Sequence, residues 1–483
     1  MIVSTRSAGV SAPPQAHPLT TALAGFVAAT RFEDLPPEAI HGTKRLILDT
    51  LGCAYGATRT ESGRLAVRHV QRLGGHPRAT VLGSPGRTSA TNAAYANGRM
   101  ANVLDADDTF PTGTHFASTA VFAALALAEE ERRSGRDLIR AVAVGFDLAA
   151  RVGSWMGAPV KVEDGRVTGY RTLSGPSATM TWAAVGSSAA VAGLDAAQAA
   201  NAFGIAGANT PLPSIGKWAE QVRLPMHKYA DAGWCAQAGL NATMLAEAGS
   251  TGFAGVLDGD TGFWRFFGAE EHDDQVLLHG LGANWQILNT TYKPWPSCRW
   301  THYPLTAFLR LKREHGLTPE RIESVVVRAN PFALSPRFKV CQPDTPVNAQ
   351  FSHAHVMAMG AFGIPPGPLW YAEQTLGDPA IAAFRERVSV EPEPRAADLA
   401  RWIEEGQFRR IPASVEVHTP AGVLTASAEM AWGDPWSEET YFTDEALRAK
   451  FRGMLSDDGR ADQVIELIDN LEEVDDLGGL CVL

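Results

Sequence analysis

The chain has 483 residues, 45% hydrophobic and 20% charged, with a formal net charge of −11. That is enough apolar material for a large core and two or more ordinary domains. The acidic balance argues against a nucleic-acid-binding surface while leaving room for a local cationic pocket. Five cysteines (Cys53, Cys235, Cys298, Cys341 and Cys481) lack the short paired spacings of a zinc site or a disulfide framework, so a reducing cytoplasm and no structural metal are expected.

In chain order, residues 1–18 are polar and rich in Ser, Ala and Pro, and read as a disordered arm without the apolar core of a signal peptide. No segment offers the roughly 20 uninterrupted apolar residues of a membrane span. From Leu19 to about Gly280 the pattern is helical, with Glu38 to Leu51, Ser118 to Gly135, Asp137 to Val152, Ala178 to Ala192 and Ala196 to Ala208 as clear examples. The almost uncharged stretch from Ala178 to Ala192 predicts a central helix. After Tyr292 the period changes: Ile322 to Ala329, Val388 to Val390, Ser414 to His418 and Leu424 to Met430 read as strands, the last two joined by a turn at Thr419-Pro420-Ala421-Gly422. Helices at His302 to His315 and Ala349 to Phe362 interleave with them, and helices return at Glu445 to Leu455 and Ala461 to Leu471. The expected architecture is mostly α: a helical domain over 19–287, an inserted α+β lid over 288–435, and C-terminal helices over 436–483 that rejoin the helical domain.

The densest chemistry lies at Asp105, Asp107, Asp108, Thr109 and His115, where an Ala-rich helical pattern gives way to Pro111-Thr112-Gly113-Thr114. Carboxylates this close repel one another and resist burial, so the cluster costs stability unless something offsets it. Taken alone, three acids read as a capped helix end with a solvated loop. The imidazole and hydroxyl that follow make a proton-handling site the sharper expectation.

Several motifs recur in a telling order: Leu48-Asp49-Thr50-Leu51-Gly52, Asn97-Gly98 leading to the acidic cluster, Gly145-Phe146-Asp147, Gly193-Leu194-Asp195, the run from Lys228 to Gly262, and Lys293-Pro294-Trp295-Pro296-Ser297-Cys298-Arg299-Trp300-Thr301-His302. This series resembles the MmgE/PrpD family over nearly the whole chain. The resemblance implies a helical domain with a smaller α+β lid, a homodimer, a cleft needing neither metal nor organic cofactor, and proton transfer beside a carboxylate. The implied function is a lyase acting on a small di- or tricarboxylate, with dehydration of a 2-methylcitrate-like hydroxy acid first. Decarboxylation of a cis-aconitate-like acid, epimerisation of a dicarboxylate and an inactive carboxylate-binding member are the alternatives.

By the same resemblance, Asp105, Thr109 and His115 line the cleft, with His115 as general acid or base and Thr109 on a substrate carboxylate. Lys228, Lys293 and Arg299 supply cations for at least two carboxylates, Cys298 contacts substrate, and His302 stands behind. Three positions depart from the pattern. The segment Gly169-Tyr170-Arg171-Thr172-Leu173-Ser174 carries no histidine, which makes Ser174 a candidate binder; Asp231 replaces an imidazole; and His355 becomes a candidate proton carrier.

Overall fold

A computed structural model describes residues 17–157, 160–163, 166–170, 176–211, 215–404, 407–455 and 457–481. Ser174 and most of the expected N-terminal arm lie outside the described residues. The protein is mostly α, and none of its described helices is long and apolar enough to cross a membrane.

The first ten helices are α1 (Pro18–Ala29), α2 (Pro37–Thr58), α3 (Glu61–Leu73), α4 (Ala90–Val103), α5 (Ala117–Glu131), α6 (Gly135–Trp155), α7 (Pro176–Ala192), α8 (Ala196–Asn209), α9 (Ile215–Ala219) and α10 (Ala232–Glu247). The expected helix from Ser118 to Gly135 is in fact two elements. Arg132 closes α5 in the left-handed conformation, and Ser134 then opens α6 with a capping box to Asp137. Helix α7 is the centre of the group, touching α5, α6 and α10. Its near-total lack of charge follows, since the described face between Ala178 and Val191 has no water to meet. Small residues let the axes close up. A Cβ on Gly145 of α6 would lie 2.5 Å from the Ser187 nitrogen and 2.6 Å from the Ala183 oxygen, both in α7.

Two short hairpins interrupt the helices, β1 (Ala79–Thr80) with β2 (Arg87–Thr88) and β3 (Val160–Glu163) with β4 (Arg166–Tyr170). The second escapes a purely helical reading of this region because it is only a few residues long. Two single-turn helices, α11 (Phe263–Phe267) and α12 (Asp274–Leu278), precede the change of period.

Beyond it lie α13 (His302–His315), β5 (Ser324–Ala329), α14 (Pro346–Phe351), α15 (His353–Phe362), α16 (Glu373–Leu376), α17 (Pro379–Arg385), β6 (Val388–Pro392), β7 (Ile403–Glu404), β8 (Gln407–Phe408), β9 (Ala413–Thr419) and β10 (Gly422–Ala428). Four strands form one sheet in the order β10-β9-β5-β6; β5 and β6 are parallel and the other pairings antiparallel. Thr419 pairs with Gly422 across the expected turn. Alternation in β5 buries Val325, Val327 and Ala329 on one face. The helix expected from Ala349 to Phe362 is broken at Ser352, whose hydroxyl accepts from the His355 amide and starts α15 afresh.

The last helices, α18 (Asp444–Met454) and α19 (Asp458–Asp469), turn back onto α2. A Cβ on Gly52 would lie 2.8 Å from the Phe451 ring. Replacing Gly145 by leucine forces α6 off α7 and should lower unfolding stability by about 1–3 kcal/mol or more. Chemical denaturation reads the effect, and an unchanged midpoint would contradict this helix contact.

Candidate active site

The loop from Leu104 to Phe116 joins α4 to α5 and carries the acidic cluster. Asp105 has left-handed backbone (φ 54°), as has Lys228 (φ 59°). Only one other non-glycine among the described residues does so, Arg132 at the end of α5. Such a conformation costs roughly 1–2 kcal/mol per residue and persists where its surroundings hold it. Here the two strained residues face each other, with Lys228 Nζ 3.3 Å from Asp105 Oδ2. Lys293 makes a second, closer ion pair with Oδ1 of the same carboxylate. Each ammonium also donates to backbone, Lys228 to the Asn102 carbonyl at 2.8 Å and Lys293 to that of Asp105 at 3.1 Å.

Burial alone would push the Asp105 carboxyl up, but the two ammoniums outweigh it and hold the group well below the usual carboxylate range. Burial pulls Lys228 down despite Asp105. Lys293 stays above its ordinary value because Asp105 and Asp107 together overcome burial. The difference between the lysines follows from the closer approach of Lys293.

Asp108 accepts from the amides of Phe116 and Ala117 at 3.2 and 3.1 Å and so caps α5. Burial and the neighbouring Asp107 push its carboxyl well up. Asp107 accepts from Asn102 Nδ2 at 2.8 Å and lies 3.8 Å from His115 Nδ1. That ring nitrogen is 2.5 Å from the Asp108 carbonyl oxygen, an acceptor, so Nδ1 carries the proton. The tautomer leaves the Nε2 lone pair without a protein partner among the described residues. Burial, and after it Lys293, lower the His115 pKa, which keeps the imidazole neutral. Tyr229 stacks on the ring at 5.9 Å. Asp107, Asp108 and His115 lie close enough to share a cation. Both Asp108 oxygens, however, are used as the helix cap, and the Lys293 ammonium already stands 3.9 Å from Asp107.

One pocket gathers Asp105, Thr109, His115, Lys293, Cys298 and Arg299. An antiparallel bridge between Thr109 and Thr291 ties the acidic loop to the segment bearing Lys293. Arg299 pairs with Asp434 and donates to the Tyr303 hydroxyl at 2.9 Å, but its Nη1 is buried without a partner. The Thr109 hydroxyl is likewise buried and unpartnered. Arg337 also lines the pocket, giving Nη1 to the Ala219 carbonyl at 3.0 Å and leaving Nε unpartnered. The Cys298 thiol, on the pocket wall, is pushed up to about 12 by burial and by Asp105, which disfavours the thiolate.

Other predicted residues stand away from this pocket. Lys228 lies behind it, reaching Asp105, Asn102 and the Tyr229 ring among the described residues. Nε2 of His302 is 3.1 Å from the Ser297 carbonyl, and its ring lies against Trp295. Nε2 of His355 is 2.9 Å from the Trp370 carbonyl, its ring is stacked on Tyr371, and burial takes its pKa down to about 4. Asp231 caps α10 and pairs with Arg99, which accounts for its carboxylate without catalysis.

Sequence reading missed Arg337, Asp434 and Lys450. Lys450 of α18 donates to Asp49 in α2 and to the Ala106 carbonyl in the acidic loop, both at 2.6 Å. Asp49 was visible in a motif, but its partner is 401 residues away.

The family model described as the MmgE/PrpD N-terminal domain matches residues 21–275, and that of the MmgE/PrpD C-terminal domain matches residues 295–473. Among curated proteins, the chain is 25% identical to cis-aconitate decarboxylase of Mus musculus, covering 96% of this chain and 92% of that protein. It is 24% identical to cis-aconitate decarboxylase of Homo sapiens over 96% and 94%. It is 23% identical to that of Aspergillus terreus over 93% and 92%.

Substituting Asp105 by alanine strands two buried ammoniums and should cost about 3–5 kcal/mol of stability. A loss under about 1 kcal/mol in urea unfolding would mean that the carboxylate does not hold both lysines.

Proposed function

Because the chain belongs to the MmgE/PrpD family, we propose that it is a lyase of small carboxylic acids whose reaction turns on proton transfer at the carbon beside a carboxylate. The observation that carries this reading is the His115 ring: Nδ1 is committed to the Asp108 carbonyl, Nε2 has no partner among the described residues, and the residue lines the pocket. A neutral imidazole in that tautomer is a base. Thr109, Arg299 and Arg337 offer unpartnered donor positions for the substrate carboxylate and for the enediolate charge that develops on it. Lys293 is the charged proton donor on the same wall.

Dehydration of a hydroxy acid uses all of these groups. His115 takes the proton from carbon, the electron pair forms the double bond, and hydroxide leaves with a proton from Lys293. Decarboxylation is a second reading, favoured by the names of the relatives and by the apolar character of the pocket, since a poorly hydrated carboxylate loses carbon dioxide more readily. In that outcome Lys293 returns a proton to the carbanion. Incubation with citrate, 2-methylcitrate and cis-aconitate separates the two: new ultraviolet absorbance without gas marks dehydration, and released carbon dioxide marks decarboxylation. Absence of both, together with no solvent-deuterium incorporation, with these three acids and with dicarboxylic acids bearing a larger apolar substituent would defeat the lyase reading.

His115 must be unprotonated to act as base, so activity falls as pH drops through its pKa. With that pKa lowered, the acid limb of kcat/KM should lie below the ordinary histidine value of about 6.5. His115→Gln should abolish the limb and reduce kcat by about 100-fold or more. A limb at or above 6.5, or a fully active variant, would remove His115 from this role.

A further inference from the structure

The same pocket that gathers the polar groups is walled mainly by aromatic and aliphatic side chains. Trp300, Phe332 and Phe408 form one cluster, with ring centroids 5.6–6.5 Å apart, and Val160 and Ile411 flank it. Trp218, Tyr229 and Phe351 form another, with neighbouring centroids 5.4 and 5.6 Å apart. A compact tricarboxylate has no surface to lay against such walls, and confining its charges there would strip them of water uncompensated.

The charge balance points the same way. Of the cations lining the pocket, Lys293 is balanced by Asp105, which it shares with Lys228, together with Asp107 at 3.9 Å, and Arg299 by Asp434. Arg337 alone has no carboxylate partner among the described residues; its one bonded acceptor is the Ala219 carbonyl. Of the three expected cations, Lys293 and Arg299 are therefore already committed to carboxylates of the protein, and Lys228 does not line the pocket. Arg337 supplies one uncommitted positive charge, and Arg299 Nη1 and the Thr109 hydroxyl are two buried donors without a partner. A third substrate carboxylate would face no free cation among the described residues.

We propose that the substrate is a mono- or dicarboxylic acid bearing an apolar substituent larger than methyl, which lies against the Trp300–Phe332–Phe408 cluster while the carboxylates face Thr109, Arg299 and Arg337. This deepens the carboxylate-lyase reading and rests on it. The substituent is recognised by burial of apolar surface, the carboxylates by hydrogen bonds and charge.

The test is calorimetric titration of the full chain with succinate, propane-1,2,3-tricarboxylate and 2-benzylsuccinate. 2-Benzylsuccinate should bind at least about tenfold more tightly than either unsubstituted acid. Trp300→Ala should bring that ratio below about threefold, and Phe332→Leu, a milder change, should lower it as well. Tricarboxylate binding as tight as that of 2-benzylsuccinate, or a ratio unmoved in whichever of the two variants folds, overturns the inference and leaves the lyase reading standing. Failure of all three acids to bind defeats the carboxylate reading and the inference with it.

Discussion

Everything at the candidate site hangs on one buried carboxylate held between two ammoniums. Asp105 comes from the end of α4, Lys228 from the turn before α10, and Lys293 from the segment leading to α13, so a single anion joins three distant stretches of chain. Desolvating three charges is expensive, and the arrangement survives because each lysine has both Asp105 and a backbone carbonyl to satisfy it. The left-handed backbone at Asp105 and Lys228 is part of that cost. In return, the loop carrying Thr109 and His115 is fixed against the segment carrying Cys298 and Arg299.

This clamp separates structural charge from chemical charge. Lys228 and Lys293 share Asp105, with Asp107 3.9 Å from Lys293; Asp108 caps the start of α5, and Asp434 pairs with Arg299. Among the described residues that line the pocket, few keep an unfilled valence: His115 at one ring nitrogen, Thr109 at its hydroxyl, and Arg299 and Arg337 at parts of their guanidiniums. A site so sparing in free polar groups gets its selectivity from shape and apolar area as much as from ion pairing.

Much of this was legible in the sequence, and the part that was not has a physical cause. Helices such as α6, α8 and α13 announce themselves because a 3.6-residue period and caps such as Ser134 and Asp195 are local signals. The acidic loop was legible because clustered carboxylates conflict with an Ala-rich surrounding, and the motif from Lys293 to Arg299 because two prolines and two cations stand close together. The hairpin β3–β4 carries too few residues for alternation to register. Arg337 sits in a short 3-10 turn without periodicity, and Asp434 is one acid among many; only the fold brings Arg337 into the pocket wall and Asp434 against Arg299. His355 illustrates the converse. A histidine on a helix reads the same whether it meets substrate or, as here, the Trp370 carbonyl and the Tyr371 ring.

The Lys450 bond to the Ala106 carbonyl spans 344 residues of sequence. Its consequence concerns time more than energy. While the chain is being made from its N-terminus, the helices around α7 can pack long before α18 exists, and the acidic loop must wait with its Ala106 carbonyl and the Asp49 carboxylate both unanswered. The candidate site is therefore completed only after α18 has been synthesised and has packed onto α2.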